Sequence, residues 1–196
     1  LDLILEYEDG WRETIATDRS WKMCTEGPLR YSNLYDGELF DSRLSMPDWT
    51  SAGFDDNTWV PATLCSAPGG TMRGSMTEPI IVYETNRPLS INRIGNRYLI
   101  DFGTNSAGVV KLRIRAAKGD TVRIRHAELL KENGTQLYTD NLRSAQGTAL
   151  YVSDGTINTW SPEFTWFGFR YAEVTGVDSL GADDVERLLL SDNLSS

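Results

Sequence analysis

One histidine, His126, stands among 28 aspartates and glutamates in a chain of 196 residues. A Ser-His-Asp or Cys-His arrangement would have to use it. It follows Val122 and Ile124 by even steps, which puts it on the inner face of an alternating strand. A core imidazole satisfied by a hydrogen bond is therefore the expectation, ahead of a general base. Two cysteines, Cys24 and Cys65, and one histidine fall short of a tetrahedral zinc site. No glycine-rich loop joins a strand to a helix, so a phosphate cradle is not indicated. Glycoside hydrolysis needs two carboxylates at a set separation. Composition allows that, but no acidic pair stands out by its surroundings.

The densest cluster of oxygens is a loop. Asn33, Asp36, Glu38 and Asp41 place four oxygen-bearing side chains within nine residues, and Gly37 frees the backbone to turn. Hard cations take six to eight oxygen ligands, so the loop could hold calcium, with a sugar diol completing the shell. Turn chemistry explains the same residues: Asn and Asp bond their own backbone and Gly adopts a left-handed conformation. Both readings stand on the sequence alone. Trp49 could stack on a sugar ring or pack structurally. Asp55 and Asp56 are expected to cap a turn over the ring of Trp59. Glu128 shares the parity of His126, and a carboxylate turned inward needs a partner; Arg143 or Arg170 is the expected one.

The elements that must position these groups read as strands. Asp9-Gly10 between Leu1–Tyr7 and Trp11–Thr17 is a hairpin signal. From Val110 to Arg115 and from Thr121 to Arg125, apolar and basic residues alternate with period two, as half-buried antiparallel strands require. Further strands are expected at Tyr98–Phe102, Ala149–Ser153, Ile157–Trp160 and Phe164–Thr175, with Trp160 and Trp166 in the core. Gly103, Asn133-Gly134, Asp154-Gly155 and Ser161-Pro162 read as the turns between them. Asp183 to Arg187 starts a short helical turn or leads into one last strand. Pro68-Gly69-Gly70 is a turn in the irregular region from about 26 to 88. No window shows a helical stripe, so the expected fold class is all-β, an antiparallel sandwich with little helix.

Nineteen Lys and Arg against 28 acids leave a net charge of −9, which disfavours a nucleic-acid partner. No apolar run reaches the roughly 18–20 residues of a membrane span. Leu1 opens directly on strand-like sequence and the last residues are polar, so the chain is expected to be a segment of a longer polypeptide. Two cysteines leave the compartment open, with an extracytoplasmic one favoured.

Seven stretches in order carry a resemblance: Gly27 to Arg30, Leu34 to Arg43, Gly53 to Trp59, Asp101 to Gly108, His126 to Leu130, Asn141 to Ala145, and Phe164 to Tyr171. Together they resemble the non-catalytic β-sandwich region of bacterial α-L-rhamnosidases over nearly the whole chain. Ser42 and Thr104 depart from that family's usual residues. The resemblance implies a galactose-binding-like jelly roll at 23–178. It implies strands from a preceding or shared sandwich at 1–22, and a connection at 179–196 to an (α/α)6 catalytic barrel that carries the general acid. The segment itself would be non-catalytic, an accessory to an enzyme that cleaves terminal α-L-rhamnose. Its implied partners are that barrel and an L-rhamnose-containing carbohydrate, met by Asn33, Asp36, Glu38 and Trp49. Calcium would be held by Asn33, Asp36 and the Pro79 carbonyl. A purely structural module packed on the barrel is the alternative.

Overall fold

The computed structural model describes residues 2–66, 69–71, 73–74 and 76–193; Pro68 of the expected glycine-rich turn lies outside them. In chain order the strands are β1 (Asp2–Glu6), β2 (Arg12–Ala16), β3 (Lys22–Met23), β4 (Leu29–Asn33), β5 (Gly37–Asp41), β6 (Val60–Pro61), β7 (Ile80–Asn86) and β8 (Ser90–Ile94). They continue with β9 (Arg97–Ile114), β10 (Thr121–Ala127), β11 (Leu129–Leu130), β12 (Leu137–Tyr138), β13 (Thr148–Val152), β14 (Asn158–Trp160), β15 (Phe167–Thr175) and β16 (Val185–Asp192). Helical structure among the described residues is confined to short 3₁₀ turns, so the fold is all-β. The chain divides into two compact units, residues 1–27 with 46–74, and residues 28–45 with 75–196.

The first unit holds the β1–β2 hairpin, closed at Asp9-Gly10 as the sequence indicates, with the Asp9 carboxylate accepting the Trp11 N–H at 3.0 Å. It also holds the short β3–β6 pair. Asp55 caps the N–H of Asn57 at 3.1 Å, while Asp56 pairs with Lys22 at 2.6 Å. Cys24 and Cys65 are both free thiols. None of the described residues of this unit is buried.

The second unit carries the core. Its sheet runs β4-β5-β13-β10-β15-β9-β16-β7, with β8 and β14 also pairing with β9. Val110, Leu112, Ile114, Val122 and Ile124 are all 0 % exposed, as their alternation requires. Each contributes about 1.5–3 kcal/mol by leaving water. The pairs are antiparallel with one departure: β5 and β13 run parallel. No hairpin dictates their relative direction, because these strands lie far apart in sequence. Trp160 joins the core, but Trp166 stays exposed, one residue before β15 and out of step with Phe167 and Phe169. The 179–196 region, expected as a connection, supplies β16 between β9 and β7.

Gly103, expected as a turn between strands, sits instead inside the 18-residue β9. The register with β15 jumps from Phe169↔Ser106 to Tyr171↔Asp101. Phe102 to Asn105 thus stand opposite Arg170 alone, a bulge larger than the usual two residues against one. Gly103 takes φ +84, and its N–H reaches the Asp101 carboxylate at 2.7 Å. The Arg170 guanidinium grips that same carboxylate at 2.8 and 2.9 Å. From the core side Arg187, 0 % exposed, donates to the Thr104 carbonyl (2.6 Å), the Thr104 hydroxyl (3.1 Å), the Phe169 carbonyl (3.3 Å) and Asn86 Oδ1 (3.2 Å). Its guanidinium also lies over the Phe102 ring, 5.1 Å from the centroid. Burial pushes its pKa down, and the charge of Glu84 opposes that shift.

Arg187→Met removes the donor from the Thr104 carbonyl and from the buried Phe169 carbonyl. The expected cost is about 2–4 kcal/mol, read as a lower urea midpoint with an unchanged slope. Arg187→Lys recovers only part of it, since one ammonium cannot span the same acceptors. An unaltered midpoint in Arg187→Met contradicts the bracing role.

Candidate functional site

The turn from β4 to β5 is built by its own side chains. Asn33 Oδ1 accepts the N–H groups of Tyr35 (2.8 Å) and Asp36 (3.2 Å). Gly37 follows at φ +115, and a Cβ there would meet the Thr148 carbonyl oxygen at 1.8 Å. Only glycine therefore lets β5 lie parallel against β13 at this point. Asp36 Oδ2 accepts from the Tyr31 hydroxyl (3.0 Å) and Oδ1 from the Gln146 N–H (3.3 Å). Hydrogen bonding to Asp36 raises the Tyr31 pKa. Glu38 is 2 % exposed and caps the N–H groups of Phe164 (2.9 Å) and Glu163 (3.1 Å). Burial raises its pKa against those two amides, which lower it.

Beside this turn the sheet opens a cavity of about 300 Å³. Its base follows from register. Tyr31 pairs with Leu39, Leu39 with Leu150, and Leu150 with Arg123, one row across β4, β5, β13 and β10. Side chains in such a row stand on the same face. Leu39 and Leu150 form an apolar floor between the Tyr31 phenol and the Arg123 guanidinium. Asp36, Glu38 and Gln146 border it. That volume is at the lower bound of small-ligand sites. A second cavity, about 390 Å³ around Leu89, Arg93, Tyr98 and Leu180, is lined by no carboxylate or imidazole.

Of the residues selected from the sequence, Asp36 and Glu38 meet at the first cavity. Asn33 is exposed and committed to its turn. Trp49 belongs to the other unit, is 57 % exposed, and packs its ring 6.3 Å from that of Trp59. The Pro79 carbonyl accepts the Asn193 N–H at 3.1 Å beside β7, at the opposite end of the sheet order from the β4 strand of Asn33. The Asn33 and Asp36 side-chain oxygens thus accept hydrogen bonds around the turn, and the Pro79 carbonyl accepts one beside a different strand. Among the described residues no group of three His, Cys, Asp or Glu could hold a metal ion. Tyr31, Arg123 and Gln146 were not singled out by sequence; the signal for Arg123 was its outward place in the alternation from Thr121.

His126, the candidate base, is withdrawn from solvent. It is 2 % exposed, donates its Nδ1–H to the Gly147 carbonyl at 3.0 Å, and is stacked on Phe167 with centroids 3.9 Å apart. Its Nε2 is buried without a partner. Glu128 is half-buried and binds the amides of Asn105 (3.0 Å) and Asn141 (3.2 Å), whereas the expected Arg170 pairs with Asp101 and Arg143 is exposed. The inward parity did not extend to Glu128 because β10 ends at Ala127.

Comparison with known proteins gives a consistent set. Residues 92–191 match the family model for the bacterial α-L-rhamnosidase concanavalin-like domain, and residues 1–84 the α-L-rhamnosidase N-terminal domain. An α-L-rhamnosidase of Formosa agariphila is 40 % identical over 181 residues, 88 % of this chain and 19 % of that protein. One from Streptomyces avermitilis is 38 % identical over 184 residues, 89 % of this chain and 17 % of that protein. Among solved structures, the α-L-rhamnosidase from Dictyoglumus thermophilum matches with TM-score 0.88 and 37 % identity, covering 96 % of this chain and 22 % of that one. The Streptomyces avermitilis α-L-rhamnosidase complexed with L-rhamnose matches with TM-score 0.84 and 32 % identity, covering 98 % and 19 %. The chain therefore spans about a fifth of the length of these relatives.

The buried imidazole has a pH signature. Burial lowers the His126 pKa from 6.5 to about 4, against a smaller opposite effect of the Gly147 carbonyl. Between those values the unfolded chain binds a proton that the folded chain refuses. Stability is then unaffected by this group above about pH 6.5 and falls by about 1.4 kcal/mol per pH unit toward pH 4. As the only histidine, it gives one pair of carbon-bound imidazole NMR signals, Hδ2 and Hε1, whose shifts are expected to report a neutral ring down to pH 5. A midpoint near 6.5 contradicts its burial.

Proposed function

We propose, since this chain belongs to the bacterial α-L-rhamnosidase family, that it is a non-catalytic, saccharide-binding segment of a longer glycoside hydrolase that removes terminal α-L-rhamnose. The observation that carries this reading is the cavity on the sheet face, where Tyr31, Leu39, Leu150 and Arg123 align in register beside Asp36. An apolar floor with a few convergent polar groups suits a pyranose, which presents both C–H and hydroxyl faces. The sandwich fixes that geometry, because every floor residue stands on a strand. Bond cleavage is assigned to the (α/α)6 barrel of the parent polypeptide. Here the sole imidazole is buried and stacked on Phe167, and Glu38 is bound to backbone amides.

A structural role beside that barrel has its own support. β7 is a terminal strand of the sheet, yet Ile80, Val82 and Tyr83 are 52, 50 and 71 % exposed. An uncovered apolar edge is a pairing or aggregation surface unless something covers it. The two roles use different faces and are compatible.

Calorimetric titration of the chain with L-rhamnose is expected to show a dissociation constant of about 10 μM to 1 mM. A chelator should leave it unchanged, because the Asn33 and Asp36 oxygens already serve the turn as hydrogen-bond acceptors. Tyr31→Ala is expected to weaken binding at least about fivefold, roughly the loss of one good ring contact. An aryl α-L-rhamnoside should not be turned over by the chain alone. Absence of heat with any rhamnose-containing saccharide defeats the binding reading, and turnover defeats the non-catalytic one. For the second role, Val82→Lys should reduce association with the separately produced barrel while leaving rhamnose binding intact; equal association contradicts it.

A further inference from the structure

The charges around the cavity are unevenly satisfied. Asp36 already accepts two hydrogen bonds, from Tyr31 and Gln146. Glu38 is committed to the amides of Glu163 and Phe164. Arg123, exposed at the cavity wall, has no side-chain hydrogen bond or ion pair among the described residues. Its cross-strand neighbours are Leu150 on β13 and Thr175 on β15, neither of them acidic. Two residues along its own strand stands Arg125, a second cation on the same face. That cation shares Glu173 with Arg97, and its Nε is buried without a partner. By register Asp41 and Asp101 share this face with Glu173, but Asp41 pairs with Arg43 and Asp101 with Arg170, which leaves the Arg123 guanidinium without a carboxylate of its own among the described residues. Like charges left side by side on a sheet are destabilising. An arginine so placed, with its fork free at the end of an apolar floor, is arranged for a planar anion.

We propose that the cavity takes a sugar acid: Arg123 receives the carboxylate of a uronate-type unit while its ring lies over Leu39 and Leu150 beside Tyr31. The proposal rests on the saccharide-binding reading and adds to it the charge of the unit recognised. A planar carboxylate matches the guanidinium fork through two parallel hydrogen bonds, whereas a neutral hydroxymethyl group at the same ring position offers one. The rhamnose-bearing glycan would then be an acidic one, with its charged unit held on this face.

The test compares matched sugars by titrating the ¹⁵N-labelled chain and following the amides of Gly37, Gln146 and Thr148. D-glucuronate is expected to bind about tenfold more tightly than D-glucose, a gap of about 1.4 kcal/mol. Added salt should shrink the gap, because Arg123 is exposed. Arg123→Gln should abolish it without unfolding the chain, and Arg123→Lys should keep only part of it, as a point charge lacks the fork. D-glucose 6-sulfate, anionic but tetrahedral, should fall between the two sugars. Equal affinity for glucuronate and glucose, with L-rhamnose still perturbing these amides, overturns the acid preference and leaves the saccharide site standing. No perturbation by any sugar overturns both. A tighter 6-sulfate, or a gap that survives Arg123→Gln, overturns the role of the guanidinium fork.

Discussion

A long strand that must serve both halves of a curled sheet needs somewhere to change register, and here that place is the bulge at Phe102 to Asn105 in β9. The bulge leaves polar backbone facing an apolar core, which is costly unless each group finds a partner. Arg187 supplies the partners from inside, and Asp101 with Arg170 fixes the outer strand edge. No carboxylate forms an ion pair with Arg187 among the described residues. Carbonyls, an amide oxygen and two aromatic faces hold its charge instead. The rest of the sandwich is arranged around this contact. β15 pairs with β9 on both sides of the bulge, β16 brings Arg187 to it, and β10 then packs on β15.

The same rigidity makes the outer face of β10, β13 and β5 usable. Interior apolar residues of β10 and β13 are fully buried and Phe40 of β5 packs partly buried against them, so the outward residues between them are held to fixed positions. A floor of Leu39 and Leu150 is then a property of the sheet and not of a mobile loop. The acids that looked most like ligands in the sequence are the ones most consumed by structure. Asn33 closes its own turn, and Glu38 terminates the approach to β15 by binding two backbone amides. What remains available is the group that composition made least conspicuous, an arginine in an acidic chain.

Parity along single strands was legible in the sequence and carried the core and the burial of His126, and the Asp9-Gly10 pair carried the first hairpin. It failed where a strand ended or changed phase. Glu128 lies one residue beyond β10, Trp166 one residue before β15, and Gly103 inside a bulge that local sequence cannot distinguish from a turn. Arg187 was within reach, since it shares the parity of Val185, but a charged residue inside a strand invites assignment to the solvent face. The cavity was not legible. Its four aligned residues lie at positions 31, 39, 123 and 150, and they meet only through the parallel β5–β13 pair. Nothing local specifies that pairing except Gly37, whose missing side chain makes room for the Thr148 carbonyl.

A crystal structure of the chain soaked with an oligosaccharide bearing both L-rhamnose and a uronate would test the central claim most directly. The account predicts sugar density on the sheet face between Tyr31 and Arg123, a carboxylate within hydrogen-bond distance of the guanidinium, and no cation at Asn33. Density confined to the surroundings of Trp49, or a metal ion bridging the sugar to the Asn33 turn, would contradict it.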